Sequence, residues 1–224
     1  MVPPLEWAWL GRVPYREALE AQRARREAVI AGRAGPILWL LEHEPVVTEG
    51  RREALGGLSP QALAARGIDH VRTERGGLAT FHGPGQLVGY LICPLAWFGL
   101  TVKGTVTCLE DGLAAWLSSL GVQAGRRPAY RGVWVDGDKI AALGLHFRQG
   151  VSMHGFALNC TVDLAPFGLI VPCGITDGGV TSLSRLLGDA APSPEAAAAG
   201  VAAAVIRALA EGPPPDLAPR LPAP

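Results

Sequence analysis

The chain is nearly devoid of lysine. Its 20 basic residues are arginine except for Lys103 and Lys139. Guanidinium holds its proton under all ordinary conditions, so a lysine retained in such an arginine-biased chain is a candidate for work that requires a proton to leave. Net charge is missing as well: 20 basic and 20 acidic side chains give a formal +0, which offers no global electrostatic footprint for nucleic acid, and no nucleic-acid partner is expected. The four cysteines, Cys93, Cys108, Cys160 and Cys173, include no C-x-x-C pair. That argues against a zinc ribbon or a thioredoxin-like motif, and no metal is expected. Long apolar runs are missing too. The longest candidate, "EAAAAGVAAAVIRALAEG", is mostly alanine and is interrupted by Arg207, and the N-terminal stretch has no basic start followed by an apolar core. The expectation is a cytoplasmic protein with reduced thiols and no membrane partner.

Several catalytic signatures also fail. "GPGQLVG" begins like a dinucleotide-binding G-x-G-x-x-G, but Val88 occupies the last glycine position and Pro84 removes an amide. There is no G-x-x-x-x-G-K-[ST] loop and no H-E-x-x-H pair among His43, His70, His82, His146 and His154. "GVSMH" resembles the G-x-S-x-G nucleophile elbow, but it ends in His154 instead of glycine. A nucleotide-driven motor, a Rossmann enzyme and a zincin all lose support.

What is present reads as one α+β domain, a mixed sheet with flanking helices. Pro14 to about Ile30 has a charge-laced helical pattern that stops near Gly32. "PILWLLEHEPVVTEG" reads as an apolar strand running into a polar loop. "SPQALAARG" reads as a short helix with Ser59 as N-cap and Pro60 first. "TVTCLEDGLAAWLSSLG" puts Val106, Leu109, Leu113, Trp116 and Leu120 on one helical face. Asp136-Gly137 marks a hairpin turn between β-favouring runs. "VSMHGFALNCTV" is a further alternating strand, "TSLSRLLG" a short helix, and Ser193-Pro194 opens a C-terminal helix. The expected division is a catalytic domain over residues 1–212 and a proline-rich, extended tail over 213–224.

Three stretches hold the chemistry. "RGGLATFHGPGQ", Arg75 to Gln86, is rich in glycine, which lets a backbone approach a ligand, and its His82 and Gln86 are candidates to line a pocket; a hairpin connection with a hydrogen-bonded histidine is the simpler reading of such a stretch. Lys139 precedes an apolar run, where a snorkelling turn lysine is the simpler reading. His154 by itself reads as a core or edge histidine. Cys93, Cys108 and Cys160 fit as small buried hydrophobes. Cys173 does not, because "VPCGITDGG" surrounds it with turn formers. An inert thiol, a disulfide partner, a metal ligand and a nucleophile are the open readings. A nucleophile needs a nearby cation or donor, and Lys139 is the cation the fold would have to bring to it.

Taken together, "EHEPVVTEGRR", "RGGLATFHGPGQLVGY", "RGVWVDGDKIAALG", "SMHGFALN" and "PCGIT…VTSL" resemble the lipoyl(octanoyl) transferases in order and spacing, over roughly Tyr15 to Leu187. The resemblance implies the catalytic-domain fold of the biotin and lipoate protein ligases. It implies transfer of an octanoyl group from acyl carrier protein to a lysine of lipoyl domains, those of 2-oxoacid dehydrogenase complexes and the glycine cleavage H protein, with no cofactor. It assigns Cys173 as the acyl-thioester nucleophile and Lys139 as the group that lowers its pKa and moves protons. It lines the acyl site with Arg75, Gly76, Gly77, Leu78, Ala79, Thr80, Phe81 and His82, with Ala142, Leu143 and Gly144, and with His154, Gly155, Phe156 and Ala157. Glu44 and Glu49 depart from the family's usual proline and leucine, at what should be a loop rim. Rival readings are an ATP-dependent lipoate or biotin ligase, an amidotransferase between lipoyl domains, an inactive lipoyl-domain binder, and a hydrolase built on Ser152 and His154. Arg51-Arg52 and Arg126-Arg127 are candidate docking charges for an acidic carrier.

Overall fold

The computed structural model describes residues 5–51, 59–127, 130–170 and 178–213. In chain order its strands are β1 (Glu6–Arg12), β2 (Ile37–Glu42), β3 (Val46–Glu49), β4 (Asp69–Arg72), β5 (Thr80–His82), β6 (Gln86–Ile92), β7 (Gly125–Arg127), β8 (Tyr130–Val135), β9 (Asp138–Arg148) and β10 (Val151–Asn159). Its helices are α1 (Tyr15–Ile30), α2 (Pro60–Ala64), α3 (Val102–Ser119), α4 (Leu183–Leu187) and α5 (Pro194–Glu211).

The helix boundaries follow from local capping. The Ser59, Thr101, Ser182 and Ser193 side chains each accept a backbone N–H from the first turn of α2, α3, α4 and α5, and Pro opens α2 and α5. The α3 cap at Thr101 sets its start before the stretch read from sequence. Asp136 (φ 47°) and Gly137 (φ 91°) form the left-handed pair that a tight β8–β9 hairpin requires.

Seven strands form a mixed sheet in the order β1-β2-β6-β10-β9-β8-β7, parallel only between β1 and β2. Helices α3 and α5 pack together on one face, burying Leu109, Leu113, Leu117, Val201 and Val205 against Leu38, Leu40, Leu87, Leu91 and Leu158. Helix α1 covers the other face, where Ala18 meets Val88, Tyr90 and Ala157. A smaller sheet, β4-β3-β5, stands beside α1. Among the described residues no single helix is long and apolar enough to cross a membrane.

The observed architecture matches the expected mixed sheet with flanking helices, with four corrections. "PVVTEG" is not a polar loop but strand β3, a β-branched run buried along its whole length. Glu49 therefore does not lie at a loop rim: it is buried in β3, where its Oε2 accepts Arg72 Nε at 2.9 Å. Strands β1 and β7 were not anticipated, because each is an edge strand with few fully buried side chains and so a weak pattern. Strand β10 is buried at all nine positions, since helical layers cover both faces of a central strand, so its pattern does not alternate. Residues 214–224, most of the expected tail, lie outside the described residues.

Candidate active site

The large sheet opens at β9. Its pairing with β8 ends at Val133–Ala141, and beyond that point the outer edge of β9 is met by a loop: the Gly76 N–H donates to the Leu145 carbonyl at 3.0 Å. The chain comes this close because Gly50 and Gly144 carry no side chain. A Cβ on Gly50 would stand 2.3 Å from the Gly77 oxygen, and one on Gly144 2.9 Å from the Gly76 oxygen. Arg75 pins the loop from beneath, donating to Thr48 through Nε at 3.2 Å and through Nη2 at 2.9 Å.

Between this loop and the sheet lies a cavity of about 480 Å³. Its floor is small by composition. Ala142 pairs with Ala157 and Gly144 with Gly155 across β9 and β10, so four neighbouring positions carry at most one side-chain carbon each. Val88 and Tyr90 of β6, Tyr15 of α1 and His82 of β5 complete this side. Leu143, Leu145, Phe147 and Phe156, with Val102 and Val106 of α3, extend it around the open edge. The result is an apolar slot with a few convergent polar groups, the usual form of a small-ligand site.

Lys139 lies at one end of the slot, 8% exposed, with Nζ 4.8 Å from the centre of the Trp134 ring, its cross-strand partner. Gly132, at φ 129°, leaves the space its stem occupies. A buried carboxylate from α3 holds that irregular backbone in place, as the Gly132 N–H donates to Glu110 Oε1 at 2.8 Å. Lys139 also fixes its surroundings through its backbone. Its N–H donates to Gly179 O and its carbonyl accepts from Thr181 N, both at 3.0 Å. Ile170, Gly178, Gly179 and Val180 thus share a small recess of about 30 Å³ with Lys139, Thr80 and Ala142.

At the other end Tyr15, His43, His82, Tyr90 and His154 make a chain of ring contacts between 5.0 and 6.3 Å. Burial lowers the pKa of His43 to about 4, of His82 to about 3 and of His154 to about 3, with the neighbouring His43 adding to the effect on His82. All three are neutral at pH 7. His154 is a non-glycine residue at φ 62°, a costly conformation within β10, and its ring lies 6.3 Å from that of Tyr90. It is not the fully satisfied core histidine of the simpler sequence reading, since its buried Nε2 has no protein partner among the described residues.

The family model for the lipoyl protein ligase A/B catalytic domain matches residues 14–210. Octanoyltransferase of Mycolicibacterium gilvum is 47% identical over 191 residues, covering 83% of this chain and 77% of its own length. That of Novosphingobium aromaticivorans is 43% identical over 180 residues, covering 78% and 79%. The chain belongs to the lipoyl(octanoyl) transferase family. The fold agrees with more distant relatives. A crystal structure of lipoate-protein ligase A bound with ATP superposes with TM-score 0.68 at 17% identity, covering 93% of this chain and 85% of the other. Biotin protein ligase from Aquifex aeolicus superposes with TM-score 0.56 at 11% identity, covering 91% and 70%.

The residues that the sequence resemblance assigns to the acyl site gather around the cavity, with exceptions. Arg75, Gly76, Gly77, Leu78, Thr80, His82, Lys139, Ala142, Leu143, Gly144, His154, Gly155, Phe156 and Ala157 line it. Ala79 and Phe81 do not, although Ala79 borders the smaller recess beside Lys139. They pack with Val47, Leu63 and Phe167 in the core of the small sheet, because alternation along β5 turns Phe81 away from Thr80 and His82. Cys173 lies outside the described residues, as does Arg52. Ser152 is no nucleophile in this arrangement: its buried hydroxyl bonds the backbone of Leu91 and Cys93 at 2.7 and 3.0 Å. Cys93, Cys108 and Cys160 are buried, and burial pushes their thiols up to about 12, 11 and 12. Arg126 pairs with Asp111 at 3.0 Å and Arg127 lies over Tyr130 and Trp134, so neither is a plain solvated charge. Tyr15, Val88, Tyr90, Val102 and Val106 are lining residues that the sequence alone did not suggest; as side chains from separate elements, they share no linear signal.

Proposed function

We propose that the chain transfers an octanoyl group from acyl carrier protein to a lipoyl-domain lysine through a thioester on Cys173, with Lys139 as its proton-handling partner. The observation that carries this reading is the position of Lys139, at the end of an apolar slot and in one recess with both ends, Ile170 and Gly178, of the segment that contains Cys173.

The chemistry balances without nucleotide energy. The Cys173 thiolate attacks the octanoyl thioester carbonyl; a new C–S bond forms, the carrier's C–S bond breaks, and the carrier thiolate leaves with its electron pair. A protonated Lys139 favours the attacking thiolate and then gives its proton to the departing carrier thiolate, which leaves Lys139 neutral. In the second half the acceptor amine attacks the acyl-cysteine, a C–N bond forms and the Cys173 thiolate departs. The amine's surplus proton goes to neutral Lys139, a role arginine cannot fill. Thioester exchange is nearly isoenergetic and amide formation from a thioester is downhill. Backbone N–H groups of the glycine-rich loop are the candidate donors to the tetrahedral oxyanion. Octanoyl-loaded carrier protein should add the mass of one octanoyl group to wild type and none to Cys173→Ala. Product formed from free octanoate and ATP, with no carrier, would sink the reading.

A further inference from the structure

A single line of hydrogen bonds runs through the buried polar residues, from Arg75 at the cavity to Thr181 beside Lys139, and its ends fix its direction. At the first end is Arg75, whose guanidinium only donates; its Nε and Nη2 both occupy lone pairs of Thr48 Oγ1. The Thr48 hydroxyl proton is thereby left facing His82 Nε2 across a long contact of 3.5 Å, the weakest link of the line. At the far end is the Thr181 carbonyl, which only accepts. It takes a hydrogen bond from Asn159 Nδ2 at 2.9 Å, so the Asn159 oxygen must face the other way, and there it accepts Gln86 Nε2 at 2.9 Å. The orientation of Gln86 is fixed a second time, since its Nε2 also donates to the Phe81 carbonyl at 3.3 Å. Its Oε1 then faces His82 Nδ1 at 2.7 Å and requires a proton on that nitrogen. Thr48, His82, Gln86, Asn159 and Thr181 are all buried, where an unpaired polar group is costly, so reversing any one link would strand its neighbours.

We infer that Gln86 and Asn159 are positioning residues for the acyl-transfer site: they lock His82 as the Nδ1–H tautomer and tie the Arg75 loop to the strand that carries Lys139. The far connection is direct, because the residue whose carbonyl Asn159 holds, Thr181, donates its own N–H to the Lys139 carbonyl at 3.0 Å. Asn159 therefore sets how residues 179–181 lie along β9 at Lys139, and Gln86 sets which ring nitrogen of His82 offers a lone pair. Gln86 and Asn159 border the recess beside Lys139, and their side-chain hydrogen bonds go to His82, to the Phe81 and Thr181 carbonyls and to each other, so both act through the residues they hold. The inference rests on the proposed transfer reaction for its kinetic consequence only.

The first measurement needs no variant. Ring-nitrogen NMR of histidine-labelled protein at pH 7 should show His82 neutral, protonated on Nδ1; an Nε2–H ring overturns the inference outright. In Gln86→Leu the Nδ1 acceptor is gone and the His82 nitrogen signals should move. In Asn159→Asp an ionised carboxylate faces the Thr181 carbonyl, whereas a protonated one can donate to it. Its kcat relative to wild type should be lowest at pH 8, between about tenfold and a hundredfold down, and should recover as pH falls, with KM for the acyl donor little changed. A ratio flat across pH, with unmoved His82 signals in Gln86→Leu, means the two amides only add stability, and the inference fails. If wild type forms no acyl-enzyme at all, the reaction assignment fails, while the tautomer result stands or falls separately.

Discussion

Gly132 and Lys139 occupy the same space: a Cβ on Gly132 would stand 3.1 Å from Lys139 Cε, 3.3 Å from its Cδ and 2.6 Å from the Ala141 oxygen. The lysine stem fills the hollow left by a missing side chain, at a backbone φ of 129° that L-residues avoid. Gly132→Ala should therefore cost about 1–3 kcal/mol of strain and displace the ammonium. Thermal denaturation should show the first effect. A fall in transfer rate larger than the stability loss explains should show the second.

Trp134 holds that ammonium by a cation–π contact, its ring centre 4.8 Å from Lys139 Nζ. Such a contact is worth about 0.5–2 kcal/mol. On the proposed mechanism, Trp134→Leu loosens Lys139 and raises the pKa of the Cys173 thiol. Trp134→Phe retains part of the effect. Iodoacetamide alkylation followed across pH reads the thiol directly, and identical profiles in all three proteins would remove Trp134 from the account.

The slot's capacity depends on four small residues. Ala157→Leu or Ala142→Leu should fill it with side-chain carbons in a region where loop and sheet are already close. Overpacking costs about 1–3 kcal/mol, so the protein should still fold. Transfer of octanoyl should fall by more than about tenfold, while that of a butanoyl donor falls less. Equal losses for both chain lengths would place the acyl chain elsewhere.

The neutral buried histidines make stability pH-dependent. His43 and His82 titrate near 6.5 when unfolded and at about 4 and about 3 when folded, and His154 is lowered similarly. Below pH 6.5 the unfolded chain binds protons the folded chain refuses, so their contribution is complete above that pH and is lost as pH falls towards 4 and 3. Each contributes a slope of at most about 1.4 kcal/mol per pH unit. Urea midpoints measured from pH 7 to pH 4 should drop steeply in wild type and less steeply in His43→Gln.

Much of the fold was legible because its signals are local. Ser59, Ser182 and Ser193 cap the helices the pattern located, and Asp136-Gly137 turns the hairpin. Strand β1 was not legible, because an edge strand exposing Trp7 and Leu10 lacks the buried alternation that marks a strand. Phe81 shows the limit in the other direction: a motif residue flanked by two cavity-lining ones, Thr80 and His82, faces a different core because a strand turns alternate side chains to opposite sides.

The sequence by itself determined the family, the capped helices and the β8–β9 hairpin, and the scarcity of lysine that makes Lys139 conspicuous, since motifs, caps and composition are properties of neighbouring residues. Only the tertiary structure decided that β9 loses β8 beyond Ala141, that the Gly76 loop takes the place of β8, and that a line of hydrogen bonds links Arg75 to Thr181. Those are contacts between residues far apart in the chain, and burial gives such polar contacts their direction and their energetic weight.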